Sequence, residues 1–464
     1  METPVSAYLK IASQSGYAFL LESVEQGENL GRYSFIGSDP ELLFECRGKA
    51  VTVVERGDVR RTEAEHSPLN HLRDILGRYH PVTDCDLPPF TGGVVGYISY
   101  DMVRDFERLP SLRPDDIGAP DALFLLTDSL VVFDHAKRKI ALISNAHVSG
   151  PNDAAAAYER AAAKIAALRE RFNRPLTRPP AQSRPSAEVT PKSNFARDEY
   201  LAVVERCKQY IRAGDIVQVV PSQRWHLPLP CDPFDIYRAL RTINPSPYMF
   251  YFKGRDLHLA GSSPEVLVKL IGGKITVRPI AGTRRRGRTV EEDKALEREL
   301  LADPKERAEH IMLVDLGRND VGRVSRYGTV RVTDLMVIER YSHVMHIVSN
   351  VEGQIRPDCD AFDVLRACFP AGTLTGAPKI RAMEIIEEVE PQRRGPYGGA
   401  MGYISFDGNL DTCITIRTVV AKGSDAYVQA GGGVVADSIP ELEYKETVNK
   451  ARGLMRAIEM AARG

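Results

Sequence analysis

Residues 398–421 read GGAMGYISFDGNLDTCITIRTVVA. Two segments rich in β-branched and other apolar residues flank Asp407-Gly408, a dipeptide that tolerates the positive φ angles of a tight turn. The stretch is therefore predicted to fold back on itself as an antiparallel hairpin. That reading puts Arg417 well along the second strand. Earlier segments share the pattern: KAVTVVERG (49–57), GGVVGYISY (92–100), DALFLLTDSLVVFD (121–134) and KIALISN (139–145) are bounded by turn residues and read as strands. Beyond residue 194, helical and strand patterns are mixed without regular alternation. The expected class is α+β with large antiparallel sheets, not a doubly wound parallel sheet.

The clearest boundary is NRPLTRPPAQSRPSAEVTPKS (173–193), where five prolines follow the Ala-rich helical stretch DAAAAYERAAAKIAALRERF. It divides the chain into an N-terminal domain (1–172), a Pro-rich linker (173–193) and a second domain (194–464). The 464 residues carry 61 Lys plus Arg against 62 Asp plus Glu, a net charge of -1, which favours neither nucleic acid nor a membrane surface as partner. Seven cysteines, odd in number and without a C-x-x-C pair, fit reduced thiols. With no apolar run of about 18 residues and no signal-like N-terminus, the chain reads as cytoplasmic, acting on a small molecule.

Two helices are legible from their starts. Asp303 before Pro304, with Glu306 as capping-box partner, opens ERAEHIMLVDLG; Ser438 before Pro440 and Glu441 opens ELEYKETVNKARGLMRAIEMA. On the first, Glu309 shares a stripe with Met312, Leu313 and Leu316, and a carboxylate so placed needs a cation, a hydrogen bond or a proton. A hard divalent metal such as Mg2+ would serve, and so would a salt bridge to an arginine. On the second, Glu443, Glu446 and Lys450 lie on one side, which alone reads as a solvated face. Three glycine-rich stretches, AGT (281–283), FPAGTLTGAPK (369–379) and AGGG (430–433), offer backbone N–H groups and, with Arg417, suggest a pocket for a small anion. His343 and His346 fall on opposite faces of a β-like segment and cannot chelate together. One of them is an acid-base candidate, or each is structural.

Taken in order, LLES (20–23), GDIVQVVPSQR (214–224), NPSPYMFY (244–251), SSPE (262–265), PIAGT (279–283), ERAEHIMLVDLGRND (306–320), HVMHIVS (343–349), FPAGTLTGAPK, GPYGGAMGYIS (395–405) and YKETVNKAR (444–452) resemble the large subunit of anthranilate synthases, over nearly the whole chain. The resemblance implies a chorismate-utilising fold: a sandwich of two large antiparallel sheets with helices outside. It implies Mg2+ held by Glu309 and Glu446, with Glu306 and Glu443 close by. Gly282, Thr283, Thr373, Tyr397, Arg417, Gly431 and Gly433 match substrate-binding residues. Glu265 is the candidate acid for the departing hydroxyl, His346 matches the histidine of the elimination step, and Thr283 counts with them as catalytic.

The implied reaction joins ammonia to chorismate and releases pyruvate to leave anthranilate, the first committed step of tryptophan biosynthesis. Ala281 stands where most aminodeoxychorismate synthases have a nucleophilic lysine, and Gln218 where isochorismate and salicylate synthases have a lysine base; both point to ammonia as the attacking group. No cysteine has a glycine neighbour, so the glutaminase elbow is missing and a separate glutamine amidotransferase subunit is implied. LLES and NPSPYMFY match the L-tryptophan pocket of feedback-inhibited relatives, through Ser23, Asn244, Pro245, Pro247 and Met249. The competing readings are an aminodeoxychorismate synthase of the lysine-lacking kind and a catalytically silent amino-acid sensor. Arg284, Arg285 and Arg286 have no role at this level.

Overall fold

The computed structural model describes residues 2–23, 31–82, 87–176, 190–341 and 344–464. His343 and most of the Pro-rich segment lie outside these residues. The 398–421 stretch does form the expected hairpin: Ala400–Ser405 pairs antiparallel with Leu410–Ile414, in register from Ala400 opposite Ile414 to Ile404 opposite Leu410. The second strand then ends early. Leu410–Ile414 belongs to a twelve-stranded sheet, whereas Thr418–Lys422 belongs to a ten-stranded one. Arg417 therefore sits at the crossing, with φ at 51°, and not along a strand. The cause is pairing: the backbone groups after Arg417 are taken by Leu257–Gly261 on one side and Asp425–Val428 on the other.

Every strand pair among the described residues is antiparallel, and the two sheets form the α+β sandwich expected. Both sheets take strands from before and after the Pro-rich segment. Ala18–Glu22 pairs with Tyr248–Lys253, and Gly93–Ile98 pairs with Ala400–Ser405. Alternation along a strand feeds two layers at once. Phe250 and Phe252 enter a core between the sheets with Phe19, Tyr97, Met401 and Tyr403, while Met249 and Tyr251 face the helices Pro4–Ile11, Pro233–Ile243 and Pro440–Arg463. Truncating one of these buried aromatic rings to alanine is expected to cost about 3–5 kcal/mol.

Asp303 caps its helix as expected, accepting from the N–H groups of Lys305 and Glu306, and the helix runs Pro304–Gly322. Two capping expectations fail. Glu306 does not close a capping box, because its carboxylate accepts from Arg284 at 3.0 Å. Ser438 is not the N-cap of Pro440–Arg463; Ile439 holds that position, and the Ser438 hydroxyl accepts from the Val435 N–H and bonds Glu443.

Candidate active site

A second crossing lies beside the one at Arg417. Pro264-Glu265 carries the chain from Leu257–Ser263 in the ten-stranded sheet to Val266–Ile271 in the twelve-stranded sheet. The two crossings are tied together: the Ser262 N–H donates to the Arg417 carbonyl at 3.1 Å, and the Ile414 N–H to the Glu265 carbonyl at 3.0 Å. A non-glycine residue at positive φ is uncommon and concentrates at functional sites. Here it follows from the change of sheet, and the Arg417 guanidinium donates to the Lys450 carbonyl at 3.3 Å. Glu265 accepts from the Thr373 hydroxyl at 2.9 Å. Desolvation pushes its carboxyl up to about 7, against the opposing pull of that hydrogen bond and of the Lys450 charge. Near neutral pH it is therefore protonated in part, and a carboxyl raised in this way can serve as an acid for a departing hydroxyl.

On the other side stand four carboxylates from two helices. Glu306 and Glu309 lie on Pro304–Gly322, Glu443 and Glu446 on Pro440–Arg463. Burial, with the Glu306 and Glu446 charges, raises the Glu309 carboxyl above its ordinary range; burial, with Glu446, does the same to Glu443. Oxygens that repel one another in a partly desolvated space suit a hard divalent cation. No three His, Cys, Asp or Glu side chains among the described residues form a closed metal cage. Glu446 is paired with Lys450 at 2.7 Å, and the same Nζ donates to the Gly431 carbonyl at 2.9 Å.

Thr283 and His346 are cross-strand partners between Ile280–Arg285 and Val344–Gln354. His346 Nδ1 lies 3.0 Å from the Gly282 carbonyl and 3.1 Å from the Thr283 hydroxyl. A carbonyl only accepts, so Nδ1 carries the proton and Nε2 of the neutral ring is left as the basic atom. Burial holds the ring's pKa below its ordinary value. Gly282 has φ at 67°, and a Cβ there would lie 3.1 Å from Leu300 and 3.2 Å from Glu306. The positive φ calls for glycine, and any side chain would also press on its neighbours.

The arginines behind this turn are structural. Arg284 binds Glu299, Asp303 and Glu306; Arg285 binds Glu292; Arg286 binds Asp293. Arg284 thus anchors the strand of Thr283 to the helix that carries Glu306 and Glu309.

Gly431 closes the site from the end of Asp425–Gly431, so close to the Tyr397 hydroxyl that a Cβ there would lie 3.0 Å from it. A Cβ on Gly433 would come within 2.6 Å of Gln218 Nε2. The structure thus gathers Glu265, Thr373, Tyr397, Arg417 and the Gly431–Gly433 turn, with the carboxylates and the Gly282-Thr283-His346 group around them. The residues expected at a tryptophan pocket lie elsewhere. Ser23, Pro247 and Met249 line a cavity of about 350 Å³ with Tyr33, Lys269, Tyr403 and Asp411. Asn244 is bonded to Ser262 at 3.0 Å, and Pro245 is not among the lining residues. Sequence reasoning missed Lys450 as a member of the site. Its spacing to Glu446 shows an ordinary i,i+4 pair, and only the packing of the last helix on Gly431 gives it more.

The model for chorismate binding enzymes matches residues 16–456. The anthranilate synthase component 1 of Acetivibrio thermocellus is 51% identical over 466 residues, spanning 99% of this chain and 94% of that one. The component 1 of Cereibacter sphaeroides is 50% identical over 469 residues, spanning 99% and 93%. Among solved structures, the anthranilate synthase component I of Streptococcus pneumoniae superposes with a TM-score of 0.81 at 37% identity, covering 98% of both chains. The menaquinone-specific isochorismate synthase of Escherichia coli shares the fold, with a TM-score of 0.72 at 19% identity over 98% of this chain and 90% of that one.

Proposed function

The chain belongs to the chorismate-binding enzymes, with anthranilate synthase component 1 proteins as its near relatives, and from that premise we propose that the site at the two sheet crossings converts chorismate and ammonia to anthranilate and pyruvate. The observation that carries this reading is a buried carboxyl, Glu265, bonded to Thr373 on one of two backbone-tied crossings, with Arg417 on the other and no lysine at position 281 or 218.

The chemistry follows from the residues. Arg417 and the Gly431–Gly433 turn bind and orient carboxylate oxygens, and Thr373 and Tyr397 supply hydroxyls beside them. Glu265 delivers its proton to the C4 hydroxyl, which leaves as water while the ammonia nitrogen forms its bond to C2. The C3–O bond then breaks, the oxygen leaving with the enolpyruvyl group, while the C2 proton is removed; one proton ends on the methylene carbon of the departing enolate, giving pyruvate and leaving the aromatic ring. His346, neutral with Nε2 basic, is placed to move a proton in this second stage. Glu309 and Glu446 would hold Mg2+, with Glu306 and Glu443 close by; when bound, the ion orients the ring carboxylate and withdraws charge from it.

Ammonia is taken to come from a glutamine amidotransferase subunit. Burial pushes the Cys207 and Cys231 thiols up to about 12 and those of Cys46, Cys368 and Cys413 further still, so these are inert as glutaminase nucleophiles. The cavity beside Ser23 and Met249 is assigned to L-tryptophan as inhibitor. Location in the cytoplasm agrees with the unpaired thiols; no helix among the described residues is long and apolar enough to cross a membrane.

The test is the purified chain with chorismate, Mg2+ and ammonium at alkaline pH, with the product identified by mass. Anthranilate and pyruvate in equal amounts are expected. An aminated product that keeps its enolpyruvyl group, or no product, overturns the reading.

A further inference from the structure

Arg394 is among the largest fully buried side chains of the protein, 2% exposed, and it touches none of the acid, base or carboxylate groups described above. A buried guanidinium is costly unless its donors are used. Here they are. Nε donates to the Glu390 carboxylate at 3.0 Å, Nη1 to the Leu374 carbonyl at 2.7 Å and Nη2 to the Val220 carbonyl at 2.7 Å. Its Cζ lies 4.6 Å from the centre of the Tyr100 ring and 5.6 Å from that of Tyr397. Glu390, 3% exposed, completes the arrangement by accepting from both the N–H and the hydroxyl of Ser222 at 2.8 Å.

The partners of this ion pair are far apart in sequence, and each adjoins a group that faces the substrate. Leu374 follows Thr373. Ser222 is the cross-strand partner of Gly431, and the Gly432 N–H donates to the Pro221 carbonyl at 3.2 Å, so the Val220–Ser222 backbone sets the Gly431–Gly433 turn. The third partner is the Tyr397 ring itself.

We propose that Arg394, held by Glu390, is a positioning residue for the reaction, fixing Thr373, Tyr397 and the Gly431–Gly433 turn in one mutual geometry without touching the substrate. This rests on the reading of those three as substrate contacts. Stability alone is a poor reason for such a pair, since apolar side chains of similar volume often hold a core as well. A planar fork that reaches two carbonyls and a carboxylate at fixed angles is a better one, because a misplacement of about 1 Å in a site costs on the order of 100-fold in rate.

The experiment is a pair of double-mutant cycles on the full chain with ammonium as nitrogen source. R394M is combined in turn with Y397F and T373V, and with T283A as a reference on a separate strand. Folding is followed by thermal melting. R394M is expected to remain folded at the assay temperature and to lose about 100-fold in kcat/KM, mostly through KM for chorismate. Adding Y397F or T373V should then cost little more, whereas adding T283A should multiply the loss. If R394M does not fold, R394K carries the same test, since an ammonium keeps the charge but cannot reach both carbonyls and Glu390.

Wild-type kcat/KM in a folded Arg394 variant overturns the proposal, as do effects that multiply fully with Y397F and T373V. If Y397F and T373V are each silent alone, the substrate contacts themselves are misassigned and the proposal falls with them. Active-site losses in those single variants with full multiplication count against Arg394 only.

Discussion

The side-chain amide of Gln218 donates to Glu309 at 3.0 Å, while its own buried carbonyl oxygen has no partner among the described residues. One face of Glu309 is thus fixed, and its charge remains raised in energy by burial and by Glu306 and Glu446. A divalent cation bound there would relieve that cost. E309Q and E446Q are each expected to abolish turnover, by more than about 100-fold, with little loss of fold. For Glu309 the sign is fixed by its raised pKa: a carboxyl raised in the folded state stabilises below its ordinary range and costs stability as pH climbs through the folded value. E309Q should therefore melt no lower than wild type at pH 8 without metal. Mg2+ should raise the melting temperature of the wild-type chain and leave that of E309Q unchanged. Wild-type turnover and metal response in either variant would refute the assignment.

Glu265 predicts the pH profile. With its carboxyl at about 7, the proton it donates is present below that pH and lost above it. At constant free ammonia, kcat/KM for chorismate should fall by about tenfold per pH unit above this value. E265Q should lack the limb and nearly all activity, and it should melt higher than wild type above pH 7, since it removes an ionisation that burial opposes. A limb that persists in E265Q belongs to another group.

Ala281 is buried on Ile280–Arg285, one residue before the Gly282 turn and opposite Ile347. A281K is expected to suppress anthranilate formation, because an amine delivered to C2 competes with ammonia, and to trap a covalent adduct. Intact-protein mass after incubation with chorismate reads the outcome. Undiminished product with no added mass would show that the side chain at 281 points away from the ring.

The hairpin at Asp407-Gly408, the Asp303 cap and the antiparallel class were legible because each depends on neighbours in sequence. The place of Arg417 was not. NLDTCITIRTVVA carries one unbroken β pattern, yet its two halves pair with different sheets, a choice made by Leu257–Gly261 far upstream. The same holds for DALFLLTDSLVVFD, which reads as one run and splits into Ala122–Thr127 and Ser129–Asp134 in separate sheets. Glu306 went astray for the opposite reason. Its spacing from Asp303 satisfies a local rule, and a nonlocal arginine, Arg284, offers a charged partner in place of a backbone N–H. Arg394 gave no signal at all, since a pair of arginines before a glycine reads as a solvated turn.

The cavity lined by Ser23, Pro247 and Met249 predicts control by tryptophan. Among the described residues the buried Ser23 hydroxyl has no hydrogen-bond partner, which suits it to a ligand's polar end, and Tyr33, Met249 and Tyr403 offer surface for an indole. A route to the active site is visible: Asn244 bonds the Ser262 hydroxyl, and the Ser262 N–H donates to the carbonyl of Arg417. A ligand that prefers a displaced 244–249 segment would shift Arg417 through Ser262, and its effect is bounded by that difference in affinity. S23F, which fills the cavity, should relieve inhibition with turnover nearly intact. M249T should do the same at an added cost of about 1–3 kcal/mol in stability, because Met249 also packs in the core beneath the helices. Initial rates against tryptophan concentration, with melting temperatures for each variant, separate the two effects. A wild-type chain indifferent to millimolar tryptophan, or variants that lose turnover and inhibition together, would remove the case for a separate regulatory site.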